Sequence, residues 1–319
     1  MTAAARAQVQ IHCCVLLWGF TAIFGRLISL PAAPLVWWRM VIVVAALALV
    51  PRVWRALNAM PPRRRWAYAG IGVLVALHWL TFYGAIKLAN ASVGATCIAF
   101  ATVLIALIEP VLTRRRFAPR ELLLGVAVLP GVALVVGGVP QGMRLGIVVG
   151  ALSALLVAVF GSLNKRLVHD ADALAVTALE LGAGTLALTL LGPALLPLFG
   201  ASGGGGAAGA SLLVLPGTAD AVYLLVLALA CTLLPFALSL VALRHMSAFS
   251  AQLAVNLEPI YAILLAMLLL GEQRELTPQF YAGVVIILAV VFAHPLTARA
   301  RRLDHPEVLG TAEARQIVD

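Results

Sequence analysis

Apolar residues fill this chain in stretches about twenty residues long, set apart by short polar connections. A helix crossing the hydrocarbon core of a bilayer needs about 20 such residues. Ten spans are expected, near 9–28, 33–51, 66–88, 92–113, 120–138, 144–166, 172–196, 219–242, 248–270 and 277–295. Polar helix faces, which a soluble helical protein would present to water, are missing. The one long connection is Gly/Ala/Ser-rich, around 199–217, and flexible by composition. The tail after His294 is polar and is expected to be partly disordered.

Composition agrees with the pattern. Hydrophobic residues make up 63% and charged residues 11%, with mean hydropathy +1.05, against about 45–50% and 25% in soluble proteins. The net charge of +9 does not indicate nucleic acid, because the basic residues sit between apolar runs and not on one face with interleaved aromatics. They follow membrane topology instead. With the N-terminus cytoplasmic, seventeen Lys and Arg fall on the cytoplasmic side and four opposite, with Arg39 inside the second span. Both termini are therefore expected in the cytoplasm, and the arginine runs Arg63–Arg65 and Arg114–Arg116 read as topology determinants. Cys13, Cys14, Cys97 and Cys231 lie in apolar runs without metal spacing, so neither disulfides nor metal are expected. The first apolar run lacks a small-residue cleavage site with a soluble domain after it and is read as a retained helix. Walker, nucleophile-elbow, zinc and dinucleotide motifs are absent, so no cofactor is expected and ATP-driven transport by this chain alone is disfavoured.

The chain also repeats itself. Phe20 and Arg26-Leu27 match Phe160 and Arg166-Leu167, the ends of the third and eighth spans match at Ala85-Ile86-Lys87 and Ala242-Leu243-Arg244, and Gly125-Val126 matches Gly283-Val284. Five spans per copy is an odd number, so the second copy sits inverted in the membrane, the arrangement of many secondary transporters. Ten helices built this way, ending in LEPIYAILLAMLLLGEQRELTPQFYAG, resemble the drug/metabolite transporter superfamily of EamA type. Leu257-Glu258-Pro259, Gly271-Glu272 and Gly283 fall where that family's motif has them, and HWLTFYGAIK over 78–87 resembles its third-helix pattern in one branch. The first copy departs from the motif: Thr102-Val103 align with Glu258-Pro259, and its own Glu109-Pro110 comes seven residues later. The expected fold class is an all-α integral membrane protein with ten transmembrane helices as two inverted repeats, 9–139 and 144–295, followed by a cytoplasmic tail, 296–319.

Candidate site residues cluster in a few spans. In the ninth, Gln252, Asn256 and Pro259 share one helical face, with Glu258 off to its side and about 14 Å from the cytoplasmic end. Gln252 and Asn256 are expected to line the cavity. Glu258 is read equally as a proton or amine site and as a structural carboxylate beside a proline kink. The third span offers His78, Trp79 and Phe82 for a ring, a cation or a proton relay, while Tyr83 and Lys87 are expected at the outer surface. Arg39 and Glu180 occupy corresponding places in the second and seventh spans, so that they pair across the repeat or each find backbone. Arg39 resembles a structural arginine of the family, and Glu180 is a second proton-coupling candidate. Trp18, Thr232 and Ser239 complete the cavity candidates. Pro259, Glu109 and Glu272 are expected to be structural, and Gly146 and Gly150 continue into Ala154 and Ala158 as a helix-packing stripe. Asp170 and Asp172 are read as solvated residues at a helix start.

These features point to a secondary transporter in the cytoplasmic membrane, working by alternating access. The resemblance implies a small metabolite, an amino acid or a drug-like solute, with export favoured and proton coupling motivated by Glu258, Glu180 and His78. Its partners are the substrate and the lipid bilayer, with a homodimer left open. Two other classes stand as alternatives. A membrane-embedded lipid-modifying enzyme would build on Glu109 and Arg114 near the inner surface; a non-transporting scaffold would tolerate replacement of the polar residues in the third and ninth spans.

Overall fold

A computed structural model describes residues 2–114, 116–117, 119–168, 171–199 and 211–300. Asp170, most of the Gly-rich loop and residues 301–319 lie outside them. Among the described residues, seven helices are long and apolar enough to cross a membrane, and an eighth is formed if Ala32–Ala48 and Pro51–Ala59, bent by 91°, count as one span. Two shorter apolar helices, Gly125–Val135 and Pro278–Val290, fall in the stretches read as the fifth and tenth spans.

In chain order the first half comprises α1 (Ala3–Leu27), α2 (Ala32–Ala48), α3 (Pro51–Ala59), α4 (Pro62–Leu88), α5 (Ala91–Cys97), α6 (Phe100–Thr113), α7 (Pro119–Ala127) and α8 (Leu129–Gly137). The second comprises α9 (Arg144–Leu167), α10 (Ala173–Phe199), α11 (Thr218–Ala228), a π-helical turn (Leu229–Leu233), α12 (Leu234–Ala242), α13 (Ala248–Val255), α14 (Glu258–Leu269) and α15 (Pro278–Ala300). Exchanging the halves maps the packing onto itself: α4 lies on α9 as α12 lies on α1, and α6 lies on α9 as α14 lies on α1. The pairs α2·α10 and α8·α15 map onto themselves. Close approach at these contacts rests on small residues. A Cβ on Gly131 of α8 would come within 2.7 Å of the Gly283 carbonyl oxygen, and one on Gly283 within 2.4 Å of the Gly131 carbonyl. Gly125, the residue matched to Gly283 in sequence, packs instead on Val103. The stripe at Gly146 and Gly150 lies against Ala85, Ala89 and Cys97, the close packing it suggested.

The fourth and ninth spans are both broken near their middles, a feature the apolar run did not reveal. α5 gives way to α6 at Ile98–Ala99 through tightened turns, Ile98 N–H donating to Ala95 and Ala99 N–H to Thr96. α13 gives way to α14 at Asn256–Leu257, where Leu257 N–H donates to Ala254. Pro259 then sits in the first turn of α14, where a missing N–H leaves no intrahelical bond unmade.

The two broken spans are tied together along their length. Both oxygens of Glu109 accept from the N-terminal amides of α13, Ala248 N at 3.0 Å and Phe249 N at 2.7 Å. At the other end Glu272 accepts from Ala91 N and Ser92 N of α5, each at 3.0 Å, and from Ser92 Oγ at 2.7 Å. Each carboxylate thus meets the positive end of the other span's helix dipole. Between them, Gln252 Nε2 donates to the Ile98 carbonyl at 3.4 Å and Asn256 Nδ2 to Thr102 Oγ1 at 2.6 Å. Gly271 makes the turn into Glu272 with φ of +70°, a left-handed conformation that glycine adopts without strain.

Candidate functional site

The breaks face a cavity of about 130 Å³ between the two halves, on the scale of the roughly 150 Å³ engineered cavity that holds benzene. Its walls combine aromatic rings with aliphatic side chains. Trp79 of α4 meets Phe236 of α12 edge-on with centroids 5.9 Å apart, and His78 stacks with Phe82 at 6.2 Å and tilts against Phe160 of α9 at 5.3 Å. From the depth of the helix breaks the lining continues to Ile105, Leu243 and Ala248, toward the arginine-rich ends of their helices.

Arg39 of α2 also lines the cavity. It is 2% exposed, where an unpartnered guanidinium within a span would cost about 2.5–3.5 kcal/mol on insertion scales. Three contacts offset that. Its Nε donates to Thr232 Oγ1 at 2.5 Å, its Nη1 donates to the Tyr83 hydroxyl at 2.9 Å, and its Cζ lies 4.0 Å from the Trp79 ring centroid. The π-helical turn presents Thr232: its hydroxyl donates five residues back to Leu227 at 2.6 Å, leaving a lone pair for Arg39. Gly25 makes room for Tyr83, since a Cβ there would come within 2.6 Å of the ring. Arg39 was expected to be structural; it also lines the cavity.

Glu258 lines the same cavity, with no ion pair or hydrogen bond to its side chain among the described residues. The Nδ1 of His78 lies 2.9 Å from the Ser153 carbonyl oxygen and 2.8 Å from Ser153 Oγ. The carbonyl requires a donor, which places the ring proton on Nδ1 and turns an acceptor Nε2 away from Ser153. Trp18, Trp79, Phe82, Ser239 and Gln252 also line the cavity. The hydroxyls of Ser239 and Thr21 are donated to the carbonyls of Phe236 and Trp18.

Several expectations need correction. Asn256 does not line the cavity: it is fully buried at the break and bonded to Thr102. Thr232 is not a lining residue either, because it holds Arg39. Arg39 and Glu180 do not pair; Glu180 lies outside the cavity and accepts from Asn164 Nδ2 at 3.3 Å. Tyr83 is fully buried and not an outer-surface anchor, since its hydroxyl joins Arg39 to the Thr21 carbonyl. Lys87 donates to the Ile28 carbonyl at 2.5 Å, and Asp172 pairs with Arg52 at 2.6 Å while capping α10. Thr102, Tyr83 and Ser153 are the participants missed. Ser153 carried no motif, and Thr102 had a signal only in its alignment with Glu258.

The EamA-like transporter family profile matches residues 7–137 and again 144–293, covering both halves of the packing symmetry. The chain belongs to the EamA-like transporter family. It is a multi-pass membrane protein of two EamA repeats. No curated protein matches the EamA chain in sequence. A solved crystal structure superposes on it with a TM-score of 0.66 at 17% identity, over 94% of this chain and 99% of that one, a likeness of fold.

Proposed function

We propose that this EamA protein is a secondary transporter carrying a small solute with a polar, charged end and an apolar body across the cytoplasmic membrane. In this reading the chain makes ten spans in two inverted repeats, both termini lie in the cytoplasm, and the cavity is the substrate site in a cytoplasm-facing state. Export is the favoured direction. The observation that supports it most is the cavity itself: both repeats wall it, its lining mixes aromatic and aliphatic side chains, and it holds one guanidinium and one carboxylate beside the two broken spans. Discontinuous helices meeting at mid-membrane supply polar groups to transported solutes in many carriers. Amino acids and amphiphilic drugs both fit. Glu258 is the leading proton-coupling candidate because it lines the cavity, while Glu180 would act from outside it. The lipid-modifying alternative loses ground because both Glu109 oxygens are held by helix amides.

The test is flux into proteoliposomes under an imposed pH gradient, using solutes chosen by a toxicity panel in overexpressing cells. Glu258→Gln is expected to abolish the gradient's effect, while Asn256→Leu slows transport only as far as it destabilises the fold. Unchanged gradient-driven flux in Glu258→Gln would end its proton role. Cysteines placed at Arg63 and Arg274 are expected to label from opposite sides; labelling from the same side would break the topology.

A further inference from the structure

A second recess lies on the outside of the bundle. Leu229, Leu233, Leu234, Leu238 and Val241 form a trough along the π-helical turn and α12, across from the start of α10. Leu229 and Leu234 are 41% and 50% exposed, so this wall faces away from the protein interior. On a chain that spans a bilayer, that direction is lipid. At one end of the trough sit Arg244, Arg52 and Asp172.

The length of the trough is informative. Leu229 to Val241, the apolar wall, is twelve residue steps, or roughly 18 Å at ~1.5 Å per residue. Half of a ~30 Å hydrocarbon core is about 15 Å. The apolar part therefore has the depth of one leaflet, and the charged end falls at the headgroup level of the arginine-rich face. The charged end is also incomplete. Arg52 is paired with Asp172 at 2.6 Å. Arg244 gives one Nη2 bond to the Ala171 carbonyl, yet its Nε is buried with no acceptor among the described residues. A buried guanidinium N–H lacking an acceptor is uncommon in folded proteins. Among the described residues, two guanidinium groups and one carboxylate leave a net positive charge at the rim.

The geometry points to a binding site for an anionic glycerophospholipid of the arginine-rich leaflet, with its phosphate on Arg244 and one acyl chain in the trough beside α12. The phosphate supplies the acceptor that Arg244 Nε lacks, and Arg52 adds long-range attraction without leaving Asp172. The chain fills a recess that lipid would otherwise cross loosely. The site bears on the central cavity through one helix. α12 carries Phe236 and Ser239 on the cavity and Leu234 and Leu238 on the trough. This assignment does not depend on what the cavity transports.

Native mass spectrometry of the detergent-purified protein with phosphatidylglycerol and phosphatidylcholine of matched chains tests it. Wild type is expected to retain phosphatidylglycerol preferentially. Arg244→Ala should weaken that preference about fivefold, the factor for one interfacial arginine, while Arg55→Ala, an exposed arginine on the same face, leaves it unchanged. Leu238→Trp, which fills the trough but keeps the charge, should lower retention of both lipids. Arg244→Lys retains the charge without the Nε donor and should recover only part of the preference, which covers the case that Arg244→Ala folds poorly. Inorganic phosphate at millimolar concentration should not displace the lipid. Equal loss in Arg244→Ala and Arg55→Ala, undiminished retention of both lipids in Leu238→Trp, or displacement by phosphate would each overturn the site.

Discussion

Replacing Glu272 by glutamine isolates the clamp that joins the ninth span to the fourth. The carboxylate accepts three hydrogen bonds at the start of α5, from Ala91 N, Ser92 N and Ser92 Oγ. The amide that replaces it keeps one acceptor oxygen and turns an N–H2 group toward donors. At least one charge-assisted bond of about 1.5–3 kcal/mol is lost, with a buried amide left unpaired. The interaction of a carboxylate with a partly buried helix N-terminus contributes up to ~2 kcal/mol more. A loss of roughly 2–4 kcal/mol, at about 2 °C per kcal/mol for a chain of this size, lowers the thermal midpoint by roughly 4–8 °C. Glu275→Gln is the matched control. Its single contact, with Asn90 Nδ2 at 3.1 Å, survives in the amide, so its midpoint should fall by no more than about 2 °C, as for exposed pairs. The assay is intrinsic tryptophan fluorescence on heating in detergent, with Glu109→Gln measured alongside. Glu109 holds two amides of α13 in the same way and should fall within the same range. Equal midpoints for Glu272→Gln and Glu275→Gln would refute the idea that reciprocal carboxylates hold the broken spans together.

Other substitutions probe the packing and the cavity separately. Gly72→Ala places a Cβ 2.0 Å from the Glu180 carbonyl oxygen in α10 and should sharply reduce the yield of folded protein, whereas Gly182→Ala meets open space and should not. A double-mutant cycle between Asn256→Leu and Thr102→Val should give a coupling of about 0.6–1.7 kcal/mol, the range for interhelical bonds in membranes, and zero coupling would remove that link. Arg39→Lys keeps the charge but loses the fork that reaches Thr232 and Tyr83 together. It should slow transport about tenfold or more, and full activity would remove the guanidinium geometry from the site.

Length and hydropathy revealed the helical class, the two-repeat organisation and the family because those features are regional and survive local irregularity. The relative placement of His78, Trp79 and Phe82 was legible because α4 is one continuous helix, and all three line the cavity. Long-range partners were not legible. Arg39 finds Thr232 across 193 residues, through a π-helical turn whose extra residue has no mark in an apolar run except Pro235 after it. Ser153 under His78 and Thr102 under Asn256 are ordinary hydroxyl residues until another helix arrives.

The ninth span shows most sharply how such a reading goes astray. Counting 100° per residue from Gln252 put Asn256 on the cavity face and Glu258 beside it, and that arithmetic holds only inside one unbroken helix. The helix ends at Val255 and restarts at Glu258. Gln252, before the break, lies where counting placed it, while Asn256 at the break turns into the contact with Thr102 and Glu258 after it enters the cavity. Pro259 was the available signal. A proline removes the bond to the residue four before it, here Val255, and disfavours helical backbone at the residue preceding it. Applied strictly, that rule divides the span ahead of the proline and forbids carrying a helical face across the boundary. The first repeat breaks at Ile98–Ala99 with no proline nearby, so the same rule would have missed it. Its position follows instead from the partner: Ile98 and Thr102 face Gln252 and Asn256 across the repeat interface. A break marked by sequence in one copy thus locates the unmarked break in the other, through the contact the two copies share.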